Sequence, residues 1–240
     1  LVYDLGGGTL DCSIIKIDKD DVEVLGSKGE SFGGTDFDSK LFEIINDEHK
    51  IQKGENISDN LEEYQKMRQS RWEGYKKTLD SVSELKGVID TDKGPFPFKI
   101  PAEIFNKSLE EYIIKSEMIL TLLMEELNMT PKDIDEVVLV GGSTRSPLFQ
   151  NHLKSFFNKK NLISTVNVDE VVSLGASLHC SIANSEKQSI QQKDKVGNIE
   201  LTNVVNHYYG FVVTQIDKTI VNQVIIKKNE KFPIELVKEF

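Results

Sequence analysis

The stretch Asp4-Leu5-Gly6-Gly7-Gly8-Thr9-Leu10-Asp11 narrows the folds open to this chain more than any other segment. Short apolar runs flank it, at residues 1–5 and 12–17. Two strands meeting at a glycine turn are the expected structure. Three consecutive glycines let backbone N–H groups approach an anion with no side chain in the way. Asp4 and Asp11 bracket the loop, and Thr9 adds a hydroxyl. A carboxylate beside a phosphate cradle is repelled unless a hard cation lies between them, so Mg²⁺ is implied. The second carboxylate can orient an attacking water. A solvated glycine-rich hairpin is the plainer alternative; the flanking Asp, Thr and Asp favour phosphate. No Gly-Lys-Ser/Thr follows, so this is not a Walker A loop.

The rest of the pattern alternates between sheet and helix. After a turn at 18–21, residues 22–25 read as a third strand, and Phe37, Leu41, Ile44 and Ile45 give a helix over 37–50. Residues 58–80 read as one polar helix with Ser58 as N-cap and Glu62 nearby. Residues 86–100 read as a hairpin turning at 90–95, and 102–128 as one long amphipathic helix. Val137-Val138-Leu139-Val140 reads as a strand buried on both faces. Helices are expected at 147–157 and 169–183, the second opened by Asn167 with Glu170 three residues on. Polar residues 184–198 read as an exposed linker. Strands are expected at 208–213, 219–227 and 233–240, so the pattern changes from α/β to all-β.

Composition removes several function classes. With 38% hydrophobic and 28% charged residues the chain is globular. Its 29 basic against 39 acidic side chains leave a net charge of −10, which repels nucleic acid. No apolar run approaches the ~18 residues of a membrane span. Cys12 and Cys180 form no CxxC, which excludes a thiolate zinc site and a disulfide scaffold. The four histidines share no ligand spacing, and Trp72 reads as packing. The chain opens on Leu-Val-Tyr-Asp without an initiator Met. The expectation is a piece of a longer protein, in the cytoplasm, with an organelle lumen left open.

Two weaker signals accompany the glycine loop. Val140-Gly141-Gly142-Ser143-Thr144-Arg145-Ser146-Pro147 reads as strand, glycine pair and helix, so backbone can meet a ligand at a helix N-terminus. Arg145 can lay its guanidinium on an aromatic base. Alone, this is a common tight turn. Glu73, Lys76 and Lys77 share one helix face, with Asp80 beyond; from spacing alone that is an ordinary solvated helix.

Taken together, the signals resemble the 70-kDa heat-shock chaperone family, the DnaK-type ATPases of the actin and sugar-kinase superfamily. Residues 4–14 resemble its second phosphate loop, and 137–147 its adenosine loop. Gly33-Gly34-Thr35-Asp36-Phe37-Asp38 resembles its Gly-Gly-Glu-Asp-Phe-Asp turn, and 167–176 its Asn-Pro-Asp-Glu helix start. The resemblance implies an α/β, actin-like (ribonuclease H-like) ATPase lobe. It covers 1–186, with a smaller α+β subdomain inserted at 34–109, then a linker at 187–203. Residues 204–240 would open a truncated all-β substrate-binding sandwich.

The resemblance also implies roles, with ATP/ADP and Mg²⁺ as cofactors. Gly6, Gly7 and Gly8 would hold phosphates. Asp4 would hold the Mg²⁺ shell through water, Thr9 would contact the terminal phosphate, and Asp11 would position water. Glu73, Lys76 and Lys77 would meet ribose and adenine from one side. Gly141, Gly142, Ser143 and Arg145 would meet them from the other, with Asp169 nearby. A J-domain co-chaperone, a nucleotide-exchange factor and unfolded polypeptide clients are the implied partners, with no nucleic acid and no membrane.

Departures keep alternatives open. Lys77 stands where the family usually has Arg, Asp80 where it has Ser, Thr35 where it has Glu and Val168 where it has Pro. The linker is more polar than the family's leucine run. An added carboxylate at Asp80 would weaken base binding or pair with Lys76 or Lys77. The other phosphate loop and its catalytic groups would lie before Leu1, so ATPase activity is expected of the intact parent and not of this chain alone. A non-catalytic, nucleotide-binding co-chaperone or exchange factor is the alternative. A small-molecule kinase and a filament-forming relative are disfavoured.

Overall fold

The computed structural model describes residues 1–19, 21–164, 167–168, 170–187, 200–205, 207–214 and 219–232. Strands β1 (Val2–Leu5), β2 (Leu10–Asp18) and β3 (Asp21–Glu30) form an antiparallel meander. Two-residue alternation decides its faces. Tyr3, Leu5, Leu10, Cys12 and Ile14 are buried on one side, which sends Asp4 and Asp11 to the other. The register then sets Asp4 directly opposite Asp11.

Helices α1 (Gly34–Lys53), α2 (Leu61–Met67) and α3 (Gln69–Leu79) follow. Next come the hairpin β4 (Glu84–Thr91) and β5 (Gly94–Pro101), then α4 (Ala102–Ser108). These elements pack on one another around Ile57, Trp72, Ile89 and Phe96. Trp72 is fully buried, its indole N–H donating to the Gln65 carbonyl at 3.1 Å, so it is packing, as its isolation in the sequence suggested. His49 is also buried, edge-on to Phe96 and hydrogen-bonded to the Glu55 carbonyl.

Two long helical segments expected from the sequence are each broken. Residues 58–80 hold α2 and α3, divided at Arg68. Their N-cap is Asn60, whose side chain accepts from the Glu63 amide at 3.3 Å; the Ser58 hydroxyl accepts the Asn60 amide instead. Residues 102–128 hold α4 and α5 (Glu110–Glu126), divided at Leu109. There the Ser108 hydroxyl turns back to the Phe105 carbonyl at 2.6 Å, competing with helix continuation, while Leu109 is buried.

Helix α5 lies across β2 and β3, tied by a buried 2.8 Å hydrogen bond between Tyr3 and Ser116. Strand β6 (Val138–Val140) adds to β1 in parallel, pairing Val140 with Asp4. Helices α6 (Pro147–Phe156) and α7 (Val171–Lys187) follow. The end of the expected linker is itself a strand: β7 (Glu200–Val204) pairs in parallel with β3. Strands β8 (Tyr209–Thr214) and β9 (Ile220–Ile226) form a separate hairpin. The short β10 (Lys231–Phe232) returns to β7, giving the sheet order β10-β7-β3-β2-β1-β6. Ion pairs fasten this return: Lys231 to Glu23 at 2.6 Å, and Lys228 to Glu126 at 2.8 Å. The strand expected at 233–240 lies outside the described residues. Among the described residues no helix is long and apolar enough to cross a membrane.

Candidate functional site

The glycine loop is fixed by its carbonyls. The Gly6 amide closes the turn on the Thr9 carbonyl at 2.9 Å. The Gly6 carbonyl accepts from the Gly34 amide at 3.0 Å and from the Ser143 hydroxyl at 2.8 Å. The Gly7 carbonyl accepts from the amide and the hydroxyl of Thr35, each at 2.7 Å. Thus the start of α1 and the turn after β6 are both stitched to one loop. This approach requires glycine: a Cβ on Gly33 would stand 2.7 Å from the Gly6 carbonyl oxygen. Gly141 has φ +82°, and its Cβ would stand 2.6 Å from an Asp4 carboxylate oxygen.

A cleft of about 630 Å³ opens between this loop, α3 and the 3-10 turn Gly142–Arg145. All three sequence signals meet there. Gly6 and Gly7 line it from the loop, Glu73, Lys76 and Lys77 from α3, and Gly142, Ser143 and Arg145 from the turn. Asp4, Gly8, Thr9, Asp11 and Gly141 are not in its lining; Gly8, Thr9 and Asp11 are exposed next to it in the chain. Asp169 lies outside the described residues.

Electrostatics divides the three α3 residues. The Lys76 ammonium lies 2.7 Å from an Asp38 carboxylate oxygen and donates to the Gly34 carbonyl at 2.7 Å. It therefore holds α3 to α1 while lining the cleft. Burial pushes the Asp38 carboxyl above the usual carboxylate range, and the Lys76 ammonium opposes that shift. Glu73 and Lys77 pair at 2.7 Å on the exposed face, and Lys77 draws the Glu73 carboxyl down. Asp80 pairs with neither lysine. It accepts from the Ser146 hydroxyl at 2.8 Å, and burial pushes its carboxyl up. Burial and then the facing Asp11 push Asp4 up.

Sequence reasoning gave Asp38 no role. One signal was available: Asp38, Leu41, Phe42 and Ile45 share the buried stripe of α1, so an acid occupies a core position. Gly34, Thr35 and Phe37 of the same turn also line the cleft.

The residues suit an anionic ligand carrying a hard cation. The loop is glycine on every near side, and two paired carboxylates sit beside it. Among the described residues no group of three or more His, Cys, Asp or Glu could itself hold a metal ion.

A family model described as "Hsp70 protein" matches residues 1–240. The chain belongs to the Hsp70 family. It is 33% identical to a "Chaperone protein HscA" of Buchnera aphidicola subsp. Acyrthosiphon pisum over 244 residues, covering 100% of this chain and 36% of that protein. It is 32% identical to a "Chaperone protein DnaK" of Thermosipho melanesiensis over 247 residues, covering 100% of this chain and 40% of that one. A "Heat shock cognate 70 kDa protein 3" of Dictyostelium discoideum is 33% identical over 200 residues, covering 79% and 30%. This Hsp70 chain thus spans well under half the length of the curated relatives it matches. The mixed α/β architecture agrees with the family's ATPase fold.

Proposed function

We propose that the cleft binds the phosphates and adenosine of ATP and ADP, and that the chain is part of an ATP-dependent chaperone. The observation that carries this is convergence: three motifs far apart in sequence line one cleft beside a glycine loop, and Gly33 and Gly141 approach that loop too closely to carry a Cβ. In this reading Gly6, Gly7 and Gly8 offer backbone to the phosphates, as a backbone cradle does for anions. Thr9 offers a hydroxyl to the terminal phosphate, and Asp11 orients the attacking water. Asp4 would hold Mg²⁺ through water. Bound there, Mg²⁺ would neutralise phosphate charge. The apolar stems of Lys77 and Arg145, with Glu73, face ribose and base, while Lys76 keeps their helix in place through Asp38.

Residues 1–186 would form one lobe of the nucleotide-binding domain, with 34–109 inserted. Residues 204–240 would begin the client-binding β-domain. A J-domain protein, an exchange factor and unfolded polypeptides would be partners of the complete protein. The test is single-turnover ATP hydrolysis by the complete protein, with and without a J-domain protein, using Asp11→Asn as control. A rate that the J-domain raises and the substitution removes supports the reading. Tight ATP binding without hydrolysis above that control replaces it with a non-catalytic co-chaperone. Absence of Mg²⁺–ADP binding to the 240-residue chain and to the complete protein refutes it.

A further inference from the structure

Two residues at the mouth of the cleft are arranged against the local logic of their own helices. Asp80 is the C-cap of α3, where a carboxylate meets the negative end of the helix dipole. Ser146 is the N-cap of α6, where a serine oxygen ordinarily accepts an amide of the first turn, yet it makes no such bond. Its hydroxyl instead donates to Asp80 at 2.8 Å, joining residues 66 positions apart. Each residue is unfavourable or idle within its helix, and each is satisfied by the other.

The position of this bond gives it a mechanical meaning. The chain passes between the α1–α4 group and the sheet at two places, Phe32–Gly34 and Ser108–Glu110. Both are tightly packed. Phe37 stacks on Phe149 at 5.1 Å and meets Tyr112 edge-on at 5.2 Å, and Phe32 meets Tyr112 at 5.3 Å. The Gly34 and Thr35 amides hold the glycine loop on the same side. The end of α3 is reached only after α1, α2 and the body of α3, so Asp80 is far along the chain from either passage.

We infer that the Asp80–Ser146 hydrogen bond is a clasp across the cleft, which holds α3 against the turn before α6 and slows the escape of a bound ligand. An open cleft requires this bond to break, whereas the aromatic and backbone contacts near the passages can persist as a hinge. The part concerning ligand escape rests on the nucleotide reading above; the clasp itself does not. Solvent reaches the bond, so its loss changes an opening equilibrium by roughly three- to tenfold.

The test places spin labels at Lys86→Cys on β4 and Asn151→Cys on α6, both exposed, in a Cys180→Ser background; Cys12 is buried. Distances are read by pulsed electron resonance on the 240-residue chain without nucleotide. Asp80→Ala and Ser146→Ala are each expected to shift population to longer distances. The double variant is expected to match either single one, and Asp80→Asn, which keeps an acceptor oxygen, to stay near the parent. Fluorescent ADP should then leave either alanine variant roughly three- to tenfold faster. An unchanged distance distribution in both single variants, or fully additive effects in the double variant, overturns the clasp. Failure of ADP to bind at all, with the distance shifts intact, overturns the nucleotide reading and leaves the clasp standing.

Discussion

Replacing Lys76 with methionine removes an ammonium and keeps most of the apolar stem. What remains is an Asp38 carboxylate whose side chain is only 7% exposed, with its cation gone. At 2.7 Å the direct attraction is about 6 kcal/mol for an effective dielectric constant near 20, and desolvation of both ions offsets part of it. Breaking such a pair from one side costs about 3–5 kcal/mol, because the surviving charge is stranded. The Gly34 carbonyl also loses its donor. The pH dependence has a definite sign. Burial already raises the Asp38 carboxyl, and losing Lys76 raises it further. The folded state then binds that proton more tightly than the unfolded state. The stability deficit is therefore largest at neutral pH and shrinks as pH falls toward the ordinary carboxylate range. The assay is urea unfolding followed by Trp72, the only tryptophan, which lies buried on the same helix. Adding Asp38→Asn should restore most of the loss. A deficit below about 1 kcal/mol at neutral pH, or one independent of pH, refutes the view that this pair joins α3 to α1.

Gly141→Ala forces an L-residue into a glycine-only conformation and drives its Cβ against Leu5 and Asp4; a loss of about 1–3 kcal/mol from backbone strain, with weaker ADP binding, is expected by denaturation and calorimetry. Asp11→Asn should lower the Asp4 carboxyl pKa without returning it to the ordinary value, since burial is the larger cause; carbon-detected NMR titration reads this directly. Glu126→Gln weakens the contacts with Lys28 and Lys228 together, so residues 200–232 should be cut faster by a dilute protease, and added salt should narrow the difference from the parent. Burial works against the Glu126 charge, but its two lysines outweigh it and hold the carboxyl low; the tie is therefore present above the ordinary carboxylate range and is lost as pH falls through the lowered value.

Local chemistry was legible along the chain. The short apolar segments at 1–5 and 12–17 around the glycine turn announced the hairpin, while the strand register set Asp4 opposite Asp11. The run Val137–Val140 followed by two glycines announced a buried strand and a tight turn, and the structure gives Gly141 a positive φ. Helical signals found the right segments but ran through their breaks at Arg68 and Leu109. At Leu109 the break is accompanied by a Ser108 hydroxyl that competes with the helix, and apolar spacing does not register it. The polar composition of 187–203 hid β7, because an added edge strand is held by backbone pairing with β3, which is indifferent to side-chain polarity.

Sequence by itself therefore determined the α/β class, the glycine loop, and which residues could meet an anion, since these follow from local periodicity and from where side chains are absent. The tertiary structure alone decided how those residues are used. It paired the cleft-lining Lys76 with Asp38, left Glu73 and Lys77 paired with each other, and set Asp80 against Ser146. A charged side chain finds its partner through space, and burial determines how strongly it needs one; neither quantity exists until the chain has folded.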